Sequence, residues 1–170
     1  MERGGGGGRR GGGIKRGGGV WSVGGGRPPP PIVFTYLARG RPRFIYNEAK
    51  AVPLNTFLCV YPVSEISGDE RKLKALLAYL NSNIAHELLK VKGRSYGGNT
   101  LKIEPRDLDE LPVLDVRRLR EEDVDALAQL FDKLKHLTRG DEAVKREIDD
   151  IIVSILRKYP KIKGKKLLDY

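Results

Sequence analysis

The sequence predicts an α+β fold: a small, mostly antiparallel sheet with two helices packed on it, followed by a C-terminal α-helical hairpin. Short segments rich in β-branched and aromatic residues occupy residues 32–61, as is typical of strands. From residue 70 onward, apolar side chains recur at intervals of three and four, which indicates amphipathic helices. The last two such segments carry dense, balanced charge, as the helices of a solvated hairpin do.

Each predicted strand is a short apolar run bounded by turn residues. The strands are expected at residues 32–37, 44–46 and 56–61, with Pro62 ending the last. The segment 51–54 is expected at a sheet edge, because Pro53 cannot donate a ladder hydrogen bond. Residues 38–42 are expected to form the turn between the first two strands.

Two helices are predicted after the third strand. Ser67 or Asp69 can cap the first, whose buried face comprises Leu73, Leu76, Leu77 and Leu80. Residues 81–83 are expected to break it, and the second helix contains Ile84, Leu88 and Leu89. Beyond it we expect a glycine-rich loop, a short strand, a turn or short helix and an extended segment, at residues 93–99, 101–103, 104–107 and 111–113 respectively.

The C-terminal hairpin is predicted over residues 121–159. The apolar face of its first helix comprises Val124, Leu127, Leu130, Phe131 and Leu134, and that of its partner Val144, Ile148, Ile151, Ile152 and Ile155. Gly140 suits a helix C-terminus, where φ is often positive, and Asp141 suits the N-cap of the next helix.

Composition divides the chain into a tail over residues 1–27, a domain over 28–116, and the hairpin with a basic tail over 117–170. The first part is rich in glycine and arginine and has too few apolar side chains to offset the entropy of ordering, so we expect it to be disordered. Its glycines lack the flanking strand and helix of a phosphate-binding loop. The prolines at 28–31 predict a stiff polyproline spacer.

The net charge of +10 is unevenly distributed along the 170 residues. Residues 1–50 contain ten basic and two acidic side chains, residues 51–105 seven and five, and residues 106–170 fifteen of each. Such confinement favours a polyanionic partner. The alternative is a charge that only keeps the protein soluble.

Other features bear on the cellular setting. Cys59, the single cysteine, lies in an apolar run and is interpreted as a small, buried hydrophobe in a reducing compartment. Neither a signal peptide nor a membrane-spanning stretch is recognisable, so a cytoplasmic location without a membrane partner is expected. The single glutamine and the abundant lysine and glutamate hint at a thermophile.

Two ordered sets of short motifs are more specific than composition. The first set is Pro29-Pro30-Pro31-Ile32-Val33-Phe34-Thr35-Tyr36, Arg41-Pro42-Arg43-Phe44-Ile45-Tyr46-Asn47 and Pro53-Leu54-Asn55. The second set is Leu80-Asn81-Ser82, Gly93-Arg94-Ser95-Tyr96-Gly97-Gly98, Lys102-Ile103-Glu104-Pro105 and Leu111-Pro112-Val113. In this order and spacing they resemble the C-terminal target-recognition (specificity) domain of N6-adenine DNA methyltransferases, the TaqI-like class with type I and type IIG-like enzymes. Asn99 departs from the pattern, where a third glycine is expected.

Three arginines are candidate contacts to double-stranded DNA. Arg39, Arg41 and Arg43 alternate around the predicted hairpin turn and could fan out from one tip. A guanidinium suits a pair of phosphates or the O6 and N7 edge of guanine, whereas a solvated loop is the alternative. Asn55 could read the N6 and N7 of adenine or could cap a turn before the third strand.

The glycine-rich loop and the next strand supply the other candidates, Arg94, Ser95, Tyr96 and Lys102. Glycines let a backbone approach a phosphate closely, and the basic and aromatic side chains add charge and a stacking ring. Glu104 is expected to orient Lys102 or Arg94, because a free carboxylate would repel phosphate. A plain flexible connection is the alternative.

The features of a catalyst are missing from the sequence. Adenine methyltransferases have an Asn/Asp-Pro-Pro-Tyr/Phe tetrapeptide that grips the flipped base, and Arg27-Pro28-Pro29-Pro30 lacks its amide and its ring. Since no strand, glycine loop and helix for S-adenosylmethionine can be found, we expect this chain to hold no cofactor and a separate catalytic domain to bind it. No metal is expected either: His86 and His136 are interpreted as helix-surface residues, and the acidic residues at 121–125 as a favourable first helical turn.

The sequence therefore favours a DNA-recognition domain that acts with a separately encoded methyltransferase catalytic subunit or remains from a larger gene. Two other classes of function stay open. The hairpin at 121–159 could pack on a partner protein, which an exposed apolar patch on its outer side would favour. The Arg/Gly tail alone could bind RNA.

Overall fold

The computed structural model describes residues 28–35, 37–39, 41–54, 56–96, 100–137 and 141–159. For residues 37–39, 95, 96 and 100, it describes the backbone. The predictions for the tail over 1–27, for the C-terminal basic tail, and for Asn55, Asn99 and Gly140 lie outside these residues.

Six strands and six helices form within the described ranges. The strands are β1 (Ile32–Phe34), β2 (Leu37–Arg39), β3 (Phe44–Tyr46), β4 (Leu58–Val60), β5 (Arg94–Tyr96) and β6 (Thr100–Lys102). The helices are α1 (Ser64–Ser67), α2 (Glu70–Leu80), α3 (Asn83–Lys92), α4 (Pro105–Asp109), α5 (Glu121–Lys135) and α6 (Glu142–Lys158), with a 3₁₀ turn at Val116–Arg118. The predicted α+β class and the final helical hairpin are confirmed.

The strands form two antiparallel three-stranded sheets. Sheet A has the order β3-β1-β4 and pairs Phe34 with both Phe44 and Leu58. Sheet B has the order β2-β6-β5 and pairs Lys102 with both Leu37 and Arg94. The prediction of one strand over 32–37 is therefore wrong, because the chain leaves sheet A after Phe34 and enters sheet B to pair with a strand some sixty residues later.

Three other sequence predictions need correction. Residues 51–54 form no strand. The backbone of Ala51 bonds instead to the side chain of Asn47, whose Nδ2 donates to Ala51 O at 2.9 Å and whose Oδ1 accepts from Ala51 N at 3.0 Å. The expected loop after α3 begins instead with strand β5. The strand predicted over 56–61 is shorter, as β4.

The prolines before β1 are anchored to sheet A rather than acting as a spacer. Pro30 is buried. Asn47 Nδ2 donates to Pro30 O at 2.8 Å, and the Tyr61 hydroxyl donates to Pro28 O at 3.0 Å. Proline has no N–H of its own, so these carbonyls are the groups through which the segment can be held.

Side chains near the ends of the helices define where the helices begin. Asp69 caps α2 by accepting from Arg71 N and Lys72 N, as predicted, whereas Ser67 belongs to α1. Ser82 caps α3 and accepts from Ala85 N at 3.0 Å, so the predicted break over 81–83 is confirmed. Asp141 occupies the N-cap position of α6, but its carboxylate makes no capping hydrogen bond.

Helix α2 lies at the centre of a continuous hydrophobic core. Its residues from Ala75 to Leu80 are buried, and it packs against α5 and against β3. The rings of Phe34 and Phe44 lie 4.4 Å apart below sheet A. The most extensive packing between two elements is that of α2 against α5. Each fully buried leucine-sized side chain there stabilises the fold by about 1.5–3 kcal/mol. The domain division at residue 116 remains a prediction.

Candidate nucleic-acid interface

Arg41 and Arg43 lie on the segment that joins β2 to β3. Thr35 fixes the backbone of Arg43: Thr35 N donates to Arg43 O at 3.1 Å, and Arg43 N donates to Thr35 Oγ1 at 2.9 Å. The side chain of Arg43 is exposed. Arg41 faces the protein, because its Nη2 donates to Ser82 O at 2.9 Å and its Nη1 lies 3.5 Å from Glu142 Oε1. Its side chain is 24% exposed.

The prediction that three arginines fan out from one hairpin tip is wrong. Arg39 belongs to β2 in sheet B, where its backbone is opposite Thr100. Arg41 and Arg43 precede β3 in sheet A. The prediction assumed that β1 and β3 are joined by a simple turn, but an extra strand lies between them.

Sheet B places further candidates on one face. Arg94 and Lys102 are directly opposite in the β5–β6 ladder, so they share a face. Leu101 packs against the core, and alternation therefore places its neighbour Lys102 on the outer face. Arg94 is exposed there.

The backbone register gives the positions of Arg39, Ser95 and Tyr96 in sheet B. Arg39 and Tyr96 are both opposite Thr100, two positions from Lys102, and are therefore in phase with it. Ser95 is opposite Leu101 and is out of phase. Lys102 Nζ lies 3.5 Å from Glu104 Oε1, which confirms the predicted pairing of this lysine with Glu104.

Gly93 has a packing role in the turn between α3 and β5. A Cβ at this position would collide with Ile103 Cδ1 and would lie 2.8 Å from Leu101 Cδ1. The missing side chain thus allows α3 to approach β6 closely. Gly93 does not leave room for a phosphate, as had been expected, because apolar side chains occupy the space beside it.

An open cleft of about 910 Å³ lies between the segment 41–46 and the facing ends of α5 and α6. Its charged lining residues are Arg41, Arg43, Lys135, Lys145, Glu48, Asp141 and Glu142. Lys135 Nζ lies 2.6 Å from Glu48 Oε1, and Lys145 Nζ lies 2.5 Å from Asp141 Oδ2. Both lysines thus have a carboxylate partner, and the side chain of Arg43 is exposed.

Three polar residues that the sequence did not single out as structural join elements of the fold. Asn81 Nδ2 donates to Phe44 O at 2.8 Å, and Asn81 Oδ1 accepts from Phe44 N at 3.1 Å. Asp149 of α6 accepts from Asn83 Nδ2 at 2.8 Å and from Ile84 N at 3.2 Å, so α6 helps to cap α3. Sequence spacing carries no signal for contacts between residues so far apart.

His86 is half-buried, so its interpretation as a helix-surface residue is wrong. Its Nδ1 is buried without a hydrogen-bond partner. Burial, reinforced by the nearby Arg41 and Lys90, lowers the pKa of His86 to about 4. His86 is therefore neutral at pH 7, whereas His136 is exposed, as predicted.

The acidic residues at the start of α5 form ion pairs with arginines. The guanidinium of Arg71 hydrogen-bonds to Glu121 and lies 2.7 Å from Asp125 Oδ1, and Arg120 Nε lies 3.3 Å from Asp123 Oδ2. Within the ranges that the structure describes, no group of His, Cys, Asp and Glu could hold a metal ion. None of the described helices is long and apolar enough to span a membrane.

Comparison with known proteins places the chain in a family. The family model "Type II methyltransferase M.Eco57I, C-terminal domain" matches residues 21–153. Type II methyltransferase M.AccI of Acinetobacter calcoaceticus is 30% identical over 126 residues, which cover 72% of this chain and 23% of that protein. Type II methyltransferase M.XamI of Xanthomonas campestris pv. amaranthicola is 32% identical over 89 residues, or 52% of this chain and 16% of that protein. No solved structure matches the chain.

The matched region includes sheet A, sheet B, α1 to α5 and most of α6. The chain spans about a quarter or less of the length of these two relatives. The resemblance inferred from the ordered motifs is thereby confirmed, and the chain belongs to the family of C-terminal domains of M.Eco57I-like type II DNA methyltransferases.

Proposed function

We propose that this chain is the target-recognition part of an adenine-specific type II DNA methyltransferase system and binds double-stranded DNA sequence-specifically. Methyl transfer from S-adenosylmethionine is assigned to a separate catalytic polypeptide or domain. Two observations carry the proposal. Arg94 and Lys102 occupy directly opposite positions on the outer face of sheet B, and the side chain of Arg43 is exposed.

The three cations suit the phosphate backbone of a duplex. Lysine and arginine at an exposed surface neutralise phosphates and release counterions, which supplies much of the affinity of DNA-binding proteins. Arg94 and Lys102 are held at fixed spacing by the β5–β6 ladder, and Arg43 is fixed through Thr35. A rigid spacing matters because the phosphates of a duplex are themselves regularly spaced.

Base recognition is assigned to the other candidates of the sequence analysis, Arg39, Asn55, Ser95 and Tyr96. Arg39 and Tyr96 are in phase with Arg94 in sheet B, and Asn55 completes the predicted set. A guanidinium fork can read guanine and an amide can read adenine in the major groove. Arg41 has a supporting role, because its contacts to Ser82 and Glu142 hold the segment that presents Arg43.

The alternative of protein docking through the outer side of the hairpin has less support. In the described parts of α5 and α6, Val153 is the only large exposed apolar side chain. A docking surface between proteins normally requires a contiguous apolar patch. RNA binding by the Arg/Gly tail concerns residues outside the described ranges.

Duplex titration with matched variants tests the proposal. Arg43→Ala and Arg94→Ala are each expected to weaken binding to duplex DNA about tenfold, equivalent to ~1.4 kcal/mol. Arg157→Ala is the control. It removes the same charge near the far end of α6, about 22 Å from Glu142, which lines the cleft. Equal affinities for all three variants and the unmodified chain would contradict the assignment of these anchors.

A further inference from the structure

The outer face of sheet A is apolar at its centre. Ile45, Val33 and Cys59 are directly opposite one another across β3, β1 and β4, so they form one row. They alternate with the buried positions Phe34 and Phe44 on the inner face. None of the three belongs to the buried core, and Ile45 is 41% exposed.

An apolar row of this kind is unusual on a solvated sheet face. Antiparallel sheets with one side in water normally carry polar residues on that side. Further burial of the β-branched side chains of Val33 and Ile45 would stabilise a complex, because it removes apolar surface from water. The row is therefore suited to being covered by another apolar surface.

A second apolar feature lies at one end of the same sheet. Val52 and Leu54 are 83% and 75% exposed. They lie in the segment directly after Ala51, whose backbone bonds to the side chain of Asn47. Asn47 also holds Pro30, so this segment lies beside the place where the chain enters β1. Pro28 and Pro29 are exposed there as well.

We propose that this face, which we call the docking face (Val33, Ile45, Cys59, Val52 and Leu54), packs against the catalytic part of the methyltransferase. The family match begins at residue 21, seven residues before Pro28. The matched segment covers 23% of M.AccI and 16% of M.XamI and belongs to a family of C-terminal domains, so in such proteins a long polypeptide precedes this domain and enters it through the segment before β1. The proposal rests on the proposed function for the identity of the partner.

The proline segment and the cation Arg43 lie at opposite ends of sheet A, with the apolar row between them. Arg43 precedes Phe44 at one end, whereas Pro30 and Asn47 lie beyond the Ile32–Tyr46 pair at the other end. Ile45 lines the same cleft as Arg43, so a catalytic part seated on the docking face would border the cleft proposed for DNA.

Cys59 allows a direct test, because it is the only cysteine of the chain and lies in the apolar row. The test uses a fusion in which the part of M.AccI that precedes the segment similar to this chain is joined before residue 21. The rate at which N-ethylmaleimide modifies Cys59 is then measured by mass spectrometry. The expected result is that Cys59 reacts at least about tenfold more slowly in the fusion than in the unfused full chain, as a solvent-excluded site does.

Paired variants and a second scaffold make the result decisive. Ile45→Glu is expected to restore the rate in the fusion, and Val91→Glu, at a site 83% exposed on α3, is expected to leave it slow. An unchanged Cys59 rate in fusions with both M.AccI and M.XamI would overturn the proposal. A rate that falls when the unfused chain is concentrated would identify a second copy as the occupant and would also overturn it. The assay contains no DNA, so failure of DNA binding leaves its outcome unaffected.

Discussion

The side-chain amide of Asn81 binds both backbone groups of Phe44. Asn81 Nδ2 donates to Phe44 O at 2.8 Å, and Phe44 N donates to Asn81 Oδ1 at 3.1 Å. Phe44 belongs to β3, an edge strand of sheet A, and Asn81 follows the last residue of α2. One amide thus replaces a neighbouring strand along part of this edge and ties the sheet to the central helix.

Asn81→Ala is therefore expected to lower the free energy of unfolding by about 2–3 kcal/mol, because two backbone groups lose their partners in a partly buried site. Asn83→Ala removes a neighbouring asparagine whose side chain donates to Asp149, and it is expected to cost less. Urea denaturation of both variants measures the difference. Equal stabilities of Asn81→Ala and the unmodified chain would show that this clamp does not hold β3.

Asp149→Ala is expected to destabilise the fold by about 1–2 kcal/mol, since it removes a cap on the first turn of α3. Asp150→Ala provides the matched control, because Asp150 is an exposed neighbour on the same helix. Thermal unfolding followed by circular dichroism is the measurement. A loss of equal size in both variants would assign the effect to charge on α6 rather than to the cap.

Gly93→Ala is expected to destabilise the fold by about 1–3 kcal/mol through overpacking. Leu101→Ala removes one of the two side chains that the new methyl group would meet. In a double-mutant cycle, the cost of Gly93→Ala should therefore be smaller in the Leu101→Ala background. Costs that simply add would show that the Leu101 side chain takes no part in the overpacking.

The low pKa of His86 makes stability fall as the pH falls. The folded pKa is about 4 and the ordinary value is about 6.5, so between these pH values the unfolded chain binds more protons than the folded one. Acidification through this window therefore favours unfolding. After allowance for solvent screening of a half-buried ring, the loss is about 1–2 kcal/mol.

His86→Gln should flatten this part of the pH dependence. The free energy of unfolding of both proteins is measured by urea denaturation at pH 7 and near pH 4.5. Carboxylates that titrate in the same range contribute equally to both proteins, so the difference between the two slopes isolates the histidine. Parallel curves would place His86 in water in the folded state.

The periodicity of apolar residues predicted the helices well, for a physical reason. In α2 and α5, one face is buried along its whole length, so the spacing of Leu73 and Leu76, or of Val124 and Leu127, directly records that face. The spacing of apolar residues did not predict that residues 32–37 are divided between two sheets. A strand reveals its propensity but not its partner, and β2 pairs with β6 far along the chain.

The candidate DNA contacts were predictable in type but only partly in arrangement. Arginine and lysine at a basic surface identify a partner class, and the Lys102–Glu104 pair was expected from the charges alone. That Arg41 points to Ser82 and Glu142 depends on the packing of α6 against α3, which local sequence does not encode. Likewise, the motif residues Asn47 and Asn81 proved to bind backbone groups of this chain.

The salt dependence of duplex binding by the unmodified chain tests the central claim most directly. We expect Arg43, Arg94, Lys102 and a neighbouring side chain to neutralise about three to four phosphates. A plot of the logarithm of the association constant against the logarithm of the salt concentration should then have a slope of about −3. Fluorescence anisotropy between about 50 and 200 mM salt gives this slope. A slope near zero, or no binding to duplex DNA at the lower concentration, would contradict the account.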